Sequence, residues 1–146
     1  MTSAAALFGI AVLGTVFWPA SPEAAAALFA SSQRAHPLIV GLLAGGGQAV
    51  ALTILFLFGD QLRARWGWFD RKCERLRTRL GPRLASSAFV VASVSGLLGF
   101  PPVSLVATLA PGVAPRPAPL LPVMIVTRIV RFTVLAALVG AAASKL

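Results

Sequence analysis

The chain has uncharged stretches that are long enough to cross a lipid bilayer. Residues 38–58 give 21 consecutive uncharged positions, and residues 84–115 give 32. A helix rises about 1.5 Å per residue, so roughly 20 apolar residues cover a hydrocarbon core of about 30 Å. The chain is 58% hydrophobic and only 12% charged. We therefore interpret residues 1–146 as one integral membrane domain built from α-helices.

Prolines interrupt the apolar sequence twice in the same pattern, about 80 positions apart. In each copy a short apolar segment breaks at two prolines, a second short segment and a basic loop follow, and a further proline opens a full-length apolar span. The breaks fall at Pro19 and Pro22 in the first half, residues 1–59, and at Pro101 and Pro102 in the second half, residues 84–146. Matching Pro-interrupted segments in two halves indicate an inverted repeat with a binding site near the bilayer midplane.

The short apolar segments do not reach across a membrane singly. Residues 4–18 would form a helix of only about 22 Å, and residues 23–32 a shorter one. Ser21 and Pro22 suit the cap and the first turn of the second helix. We favour a re-entrant hairpin with its tip at the prolines; the alternative is one short span followed by an external helix. The predicted fold is therefore all-α and polytopic, with two Pro-broken hairpins that are each followed by a transmembrane helix.

The first span carries a cluster of small residues. Glycines stand at Gly41, Gly45, Gly46 and Gly47, and the first two form a Gly-x-x-x-Gly pair. Small side chains let a second helix backbone approach closely, which favours association of transmembrane helices. We therefore predict a helix-packing face here, which is also the candidate seam of a homodimer.

Between the halves lies a basic segment, residues 60–83. Eight of the 13 Lys and Arg residues fall within residues 63–83. Its apolar residues are spaced 4, 3, 4, 3 and 4 positions apart, on one helical face: Leu62, Trp66, Phe69, Cys73, Leu76 and Leu80. The pattern predicts an amphipathic helix in the membrane interface that ends at Gly81-Pro82. The positive-inside rule makes this segment cytoplasmic and explains the net charge of +9 without a nucleic-acid partner.

Charged residues within apolar segments mark the candidate binding site. Arg128 and Arg131 share one face of the last span, and Glu23 stands at the first proline break. A charge at the centre of a membrane helix costs about 2.5–3.5 kcal/mol, so these side chains are expected to face the bundle interior. Pairing of Glu23 with one arginine leaves one positive charge, which suits a phosphate group. Gln48 stands 80 positions before Arg128 and is predicted to lie at matching depth; the alternative role of these charges is to lock the fold.

Enzyme chemistry finds little support in the sequence. Cys73 is the only cysteine and His36 the only histidine, so neither a disulfide nor a multi-ligand metal site is expected. The sequence shows no nucleophile–base pair and no phosphate-cradling glycine loop. We therefore predict a protein that is not an enzyme and needs no metal or cofactor.

Two tracts resemble the DedA-like family, also known as VTT or SNARE-associated Golgi proteins. Residues 17–23, FWPASPE, are similar to the Phe-x-Pro-x-x-Pro-Glu tract at that family's first re-entrant tip, and residues 99–112 are similar to its second tip. Phe56 and Gly59 stand where the family has the Tyr and Gly of Tyr-x-x-Gly-Arg. The chain departs from the family in lacking an arginine at residues 100–103 and in lacking extra flanking spans.

The resemblance implies two facing re-entrant hairpins that move phospholipid or polyprenyl-phosphate headgroups between leaflets, coupled to an ion gradient, in a bacterial inner membrane. In that picture Glu23 is the proton-sensitive carboxylate, and Arg128 and Arg131 bind the phosphate. Two other classes of function stay open: a membrane assembly or structural factor that transports nothing, and a small-solute exporter or channel.

Labelling of single cysteines from either side of the membrane tests the topology. In a chain without Cys73, the re-entrant fold predicts that cysteines at positions Thr2, Arg34 and Lys145 react with an impermeant reagent from outside, and one at Arg116 from inside. Reaction at Arg34 and Arg116 from outside, with both termini inside, would instead establish four full crossings.

Overall fold

The computed structural model describes residues 3–16, 21–33, 35–114 and 116–143. Within these residues it contains α-helices and no β-strand, which confirms the predicted all-helical class. The six helices are α1 Ala4–Val16, α2 Pro22–Gln33, α3 Pro37–Arg65, α4 Gly67–Leu98, α5 Val103–Val113 and α6 Leu120–Ala143.

Helix α2 begins where its capping residues predict. The hydroxyl oxygen of Ser21 accepts a hydrogen bond from the Ala24 N–H at 3.2 Å, and Pro22 is the first helical residue. A proline is well tolerated there because the first N–H groups of a helix have no intrahelical acceptor. Glu23 follows in the first turn, where the helix dipole favours a negative charge. Local chemistry therefore fixes the position of the one acidic residue in the first half.

The structure corrects the bounds predicted for the basic helix, residues 60–83. That segment is divided between α3 and α4, because Trp66 has non-helical dihedrals of φ −120° and ψ 88°. Helix α4 also continues through Pro82 to Leu98, with one non-helical residue at Ser87. A proline inside a helix removes one backbone hydrogen bond and bends the helix.

The predicted apolar face of the basic segment is described in part. Phe69 and Cys73 are buried, whereas the side chains of Leu76 and Leu80 lie outside the description. Helix α5 likewise continues past a proline, Pro111, and ends at Val113.

Packing divides the chain into two compact units, and the first comprises residues 1–51 and 125–146. Helices α1 and α2 pack against each other, and the N-terminal part of α3 and the C-terminal part of α6 complete this unit. Its buried core is contributed by all four helices: Leu7, Ala11, Ala26, Phe29, Val40, Ala44, Phe132 and Ala136. The units do not coincide with the two halves of the sequence, because α3 and α6 each contribute to both.

Two glycines of α3 lie against the backbone of α6. A Cβ atom built on Gly45 would be 2.6 Å from Ile129 Cγ1 and 2.8 Å from Ile129 Cα. A Cβ atom on Gly41 would clash with Thr133 Oγ1 and lie 3.0 Å from the Ile129 carbonyl oxygen. The two helices can therefore approach this closely only because these α3 positions lack side chains.

The next two glycines of α3 face α1 and differ in the space that each leaves for a side chain. A Cβ atom on Gly47 would be 2.6 Å from the Phe8 carbonyl oxygen, whereas one on Gly46 would meet only Phe8 Cε2 at 3.9 Å. Intrachain helices thus cover most of the glycine face that we considered as a homodimer seam. Small residues serve any close helix, and the sequence does not tell an intrachain partner from a second copy.

The second unit, residues 52–124, contains the other Pro-broken helix pair. Helix α4 ends at Gly99, whose φ of 79° favours glycine and whose N–H donates to the Ser95 carbonyl oxygen at 3.0 Å. The Ser95 hydroxyl donates to the Pro101 carbonyl oxygen at 2.6 Å, and Pro102 immediately precedes α5. Helices α4 and α5 pack against each other across this turn. Of the predicted tip prolines, Pro101 and Pro102 therefore lie in a helix–helix turn, and Pro19 lies outside the described residues.

Among the described residues, two helices, α3 and α6, are long and apolar enough to cross a membrane. The other apolar helical segments, Ala4–Thr15, Ser86–Leu98 and Val103–Val113, are shorter. By length alone this agrees with the prediction of two full spans.

Gly45 provides a test of the close α3–α6 packing. We expect Gly45→Ala to destabilise the protein by about 1–3 kcal/mol, because the added methyl group overlaps Ile129 and the helices must separate. Gly46→Ala is the matched control and should be neutral or stabilising, since it has room and alanine favours helix by about 0.5–1 kcal/mol. Unfolding in mixed detergent, followed by circular dichroism, measures both, and equal stability of the two variants would contradict the packing described.

Candidate functional site

Helix α6 exposes apolar residues on one face and buries an arginine on another. Its exposed row has side chains that are 45–67% accessible: Val126, Val130, Val134 and Leu138. The opposite row contains Arg128, which is 5% exposed, with Phe132 and Ala136. Surface helices of water-soluble proteins show the reverse pattern, with charged residues outside. The charged side chain of Arg128 therefore lies on the buried face of α6.

Glu23 lies between the two arginines of α6. Arg131 Nη2 donates a hydrogen bond to Glu23 Oε1 at 3.2 Å, and Arg128 Nη1 lies 3.7 Å from the same oxygen. Residues that are more than 100 positions apart in the chain therefore form one cluster. One carboxylate facing two guanidinium groups leaves a net positive charge at these three side chains.

Arg128 is the more deeply buried member of the cluster. Its side chain is 6% exposed, against 23% for Arg131 and 33% for Glu23. In the part of the chain that the structure describes, Arg128 Nε and Nη1 have no hydrogen-bond acceptor. Buried polar groups are normally hydrogen-bonded, and a buried charge is costly without partners. These two donors are therefore able to bind an acceptor group that enters the cluster.

Gln48 contributes a second buried polar group to the same unit. It is 3% exposed, and its Oε1 atom has no hydrogen-bond partner among the described residues. Gly41 faces Thr133 and Gly45 faces Ile129, so α3 and α6 run antiparallel. Continuing that register puts Gln48 opposite residue 126, about half a turn from Arg128. The amide and the guanidinium therefore lie at a similar level of the two helices.

The structure brings together three of the predicted site residues, Glu23, Arg128 and Arg131, and puts Gln48 on the adjoining helix. Pro22 lies beside Glu23 at the start of α2 and helps to orient it. Pro101 and Pro102 belong to the second unit.

A second charged cluster, around Arg63, was not predicted. Arg63 Nε donates to Asp70 Oδ1 at 2.8 Å, and its terminal nitrogens lie 3.7 Å from Asp60 and 3.6 Å from Glu74. It links the end of α3 to the first turns of α4 across the break at Trp66. A sequence signal was present, since three of the four acidic residues fall within residues 60–74. The cluster supports the corner between two helices.

The surroundings of Cys73 and His36 suit a structural role for each residue. Burial raises the pKa of the Cys73 thiol to about 11, so the thiol stays protonated at neutral pH and is a weak nucleophile. His36 is exposed, and its Nδ1 accepts a hydrogen bond from the Leu38 N–H at 3.3 Å at the start of α3.

Comparison of the chain with protein-family models, with curated proteins and with solved structures finds no match. The resemblance to the DedA-like family therefore remains a prediction that rests on the two short tracts.

A double substitution tests whether Glu23 neutralises the buried arginine. We expect Glu23→Gln to lower the free energy of unfolding by about 1–3 kcal/mol, because Arg128 then stays buried without a counter-charge. Adding Arg128→Gln should restore part of this loss by removing the unpaired charge. Adding Arg116→Gln, an exposed loop substitution, should restore nothing. Detergent unfolding measures all three, and a strictly additive loss in the first pair would contradict the coupling.

Proposed function

We propose that this chain is a polytopic membrane protein that binds the phosphate group of a lipid at the Glu23–Arg128–Arg131 cluster and moves the headgroup between leaflets. One observation carries the proposal above the others: Arg128 is 5% exposed, with two hydrogen-bond donors left open, on a helix whose outer face is apolar.

The exposed apolar surface supports a membrane location. Helices α3 and α6, of 29 and 24 residues, measure about 44 and 36 Å, which exceeds a hydrocarbon core of about 30 Å. Exposed Val and Leu side chains follow one face of α6, and α3 exposes Leu42, Ile54 and Leu57. In water such a surface costs free energy in proportion to its area, whereas lipid chains cover it. The basic residues 63–83 would then be cytoplasmic, as in a bacterial inner-membrane protein.

The lengths of the short helices favour re-entrant hairpins. Helices α1, α2 and α5 have 13, 12 and 11 residues and measure about 20, 18 and 16 Å. Helices of that length leave their ends inside the hydrocarbon core, where backbone groups must be buried in protein or line a polar cavity. A pair of short helices that enters and leaves on one side, with its turn held by protein contacts, meets this requirement.

The depth and the charge of the cluster suit a phosphate group. Arg128 follows Leu120 by eight residues, about 12 Å along α6, which is within the middle third of the helix. A guanidinium group donates several hydrogen bonds in a fixed plane and matches phosphate oxygens well. Glu23 compensates one of the two positive charges, and a phosphate compensates the other.

Glu23 also supplies a means of release. Its carboxylate and a phosphate compete for the same guanidinium groups, and Glu23 is one-third exposed, more than either arginine. Protonation of Glu23 frees the arginines to bind phosphate, and deprotonation displaces the phosphate again. Transport would then be coupled to a proton gradient, as the resemblance to the DedA-like family implies.

Reconstitution of the purified protein into vesicles tests the function. The vesicles carry a fluorescent phospholipid whose outer-leaflet pool is bleached by dithionite, and a trapped dye reports leakage of solutes. We expect Arg128→Gln to slow lipid movement at least tenfold, because hydrogen bonds to charged groups contribute about 1.5–3 kcal/mol. Arg128→Lys keeps the charge with fewer donors and should give an intermediate rate. Arg116→Gln is the control for an exposed arginine and should match the unsubstituted protein.

Three outcomes would overturn the proposal. A folded Arg128→Gln protein that moves lipid at the original rate would remove the phosphate site. Dye flux without lipid flux would assign an exporter or a channel. If neither flux occurs and Glu23 or Arg128 substitutions change only the amount of folded protein, the cluster serves an assembly or structural factor.

A further inference from the structure

In the first turns of α4, the acidic residues and a row of basic residues lie on opposite flanks of the buried side. Phe69 and Cys73 form the buried side. At about 100° per residue, Asp70 and Glu74 lie on one flank of that side, toward Arg63. The other flank carries five exposed residues, of which the last four follow the first by 3, 4, 7 and 11 positions. We call this set the basic stripe: Trp68, Arg71, Lys72, Arg75 and Arg79.

The acidic residues of this unit do not pair with the arginines of the basic stripe. Asp60, Asp70 and Glu74 all lie within 3.7 Å of Arg63, and Glu74 also lies 3.8 Å from Arg77. Within the described ranges no carboxylate lies within 4 Å of the three stripe arginines, at 71, 75 and 79. Three exposed arginines therefore remain on one helical face, while Asp70 and Glu74 pair with Arg63 on the other flank.

An indole ring belongs to the same stripe. Trp68 is 40% exposed, and Lys72 Nζ lies 5.1 Å from the centre of its ring. Tryptophan is enriched at the headgroup level of membranes, where its ring is apolar and its N–H is solvated. The stripe also begins three residues after α3, one of the two helices able to cross a membrane. Both features favour a lipid surface over a nucleic acid or an acidic protein.

We propose that the basic stripe docks on the anionic phospholipid headgroups of the membrane surface, as a lipid contact separate from the Glu23–Arg128–Arg131 cluster. The inference rests on the membrane location in the proposed function and not on transport. At low salt, each arginine near an anionic membrane surface strengthens its attraction for anionic lipid about fivefold. The effect weakens as dissolved ions screen the charges. The stripe would hold the corner between α3 and α4 at the surface and gather anionic lipid beside it.

Quenching of Trp68 by brominated lipid tests the proposal on the full chain. The protein has three tryptophans, so Trp18→Phe and Trp66→Phe leave Trp68 as the only fluorophore. It is reconstituted into vesicles of phosphatidylcholine and phosphatidylglycerol at one fixed ratio, with bromine on either the anionic or the zwitterionic lipid. The ratio of the two quenching efficiencies, corrected for composition, reports the enrichment of anionic lipid at Trp68.

We expect enrichment above one, falling as salt is raised. Arg75→Gln with Arg79→Gln should lower it by up to about fivefold per arginine. Arg65→Gln with Arg116→Gln removes the same charge from exposed positions outside the stripe and should leave it unchanged. Glutamine keeps the helix propensity close to that of arginine, so circular dichroism should not distinguish the variants.

Several results would overturn the docking surface. These are equal quenching by both lipids, no quenching by either lipid, or an equal loss in the two double variants. Binding of short single-stranded DNA to the stripe, in place of anionic lipid, would assign a nucleic-acid surface instead. The quenching ratio needs only insertion into the vesicle, so a protein that fails to move lipid still reports on the stripe, and the two proposals fail separately.

Discussion

The arrangement of the first unit depends on the need of one buried guanidinium for a counter-charge. Arg128 is almost completely buried, and an isolated charge is costly in such surroundings. Glu23 meets that need from another helix, so α2 must begin beside the middle of α6. The cap at Ser21 and the proline that follows it set where α2 begins, and therefore where the carboxylate lies. Backbone chemistry at one helix end thus supports an ion pair with a helix far along the chain.

Close helix packing makes this ion pair compatible with a largely apolar unit. Gly41 and Gly45 bring α3 close against α6 at Ile129 and Thr133. Gln48 continues the same face of α3 by three residues and supplies the polar group next to that tight contact. Small residues and polar residues therefore have complementary roles. The glycines set the distance between the helices, and the polar side chain lies next to the close contact that they allow.

Patterns that depend on local rules were predicted well, and contacts between distant residues less so. The bounds of α2 and α6 follow from prolines and apolar lengths, and the meeting of Glu23 with the arginines follows because apolar segments hold few charges. The break at Trp66 lacks a proline, a glycine pair or a polar run, so the periodic pattern appeared continuous there. The Arg63 cluster depends on how the chain turns at that break, and the sequence alone does not show which acidic residues come close. Pro82 and Pro111 lie within helices, although the rule that proline ends a helix predicted a break at each.

The distribution of the carboxylates among ion pairs determines how acid changes the charge of this protein. All four acidic residues lie in ion pairs, three around Arg63 and one between the arginines of α6. Protonation of all four would raise the formal net charge from +9 to +13, because 13 basic residues would then face no anion. With all four protonated, neither the corner between α3 and α4 nor the interior of the first unit would keep a carboxylate charge. Acid therefore acts on two separate parts of this molecule through a single kind of side chain.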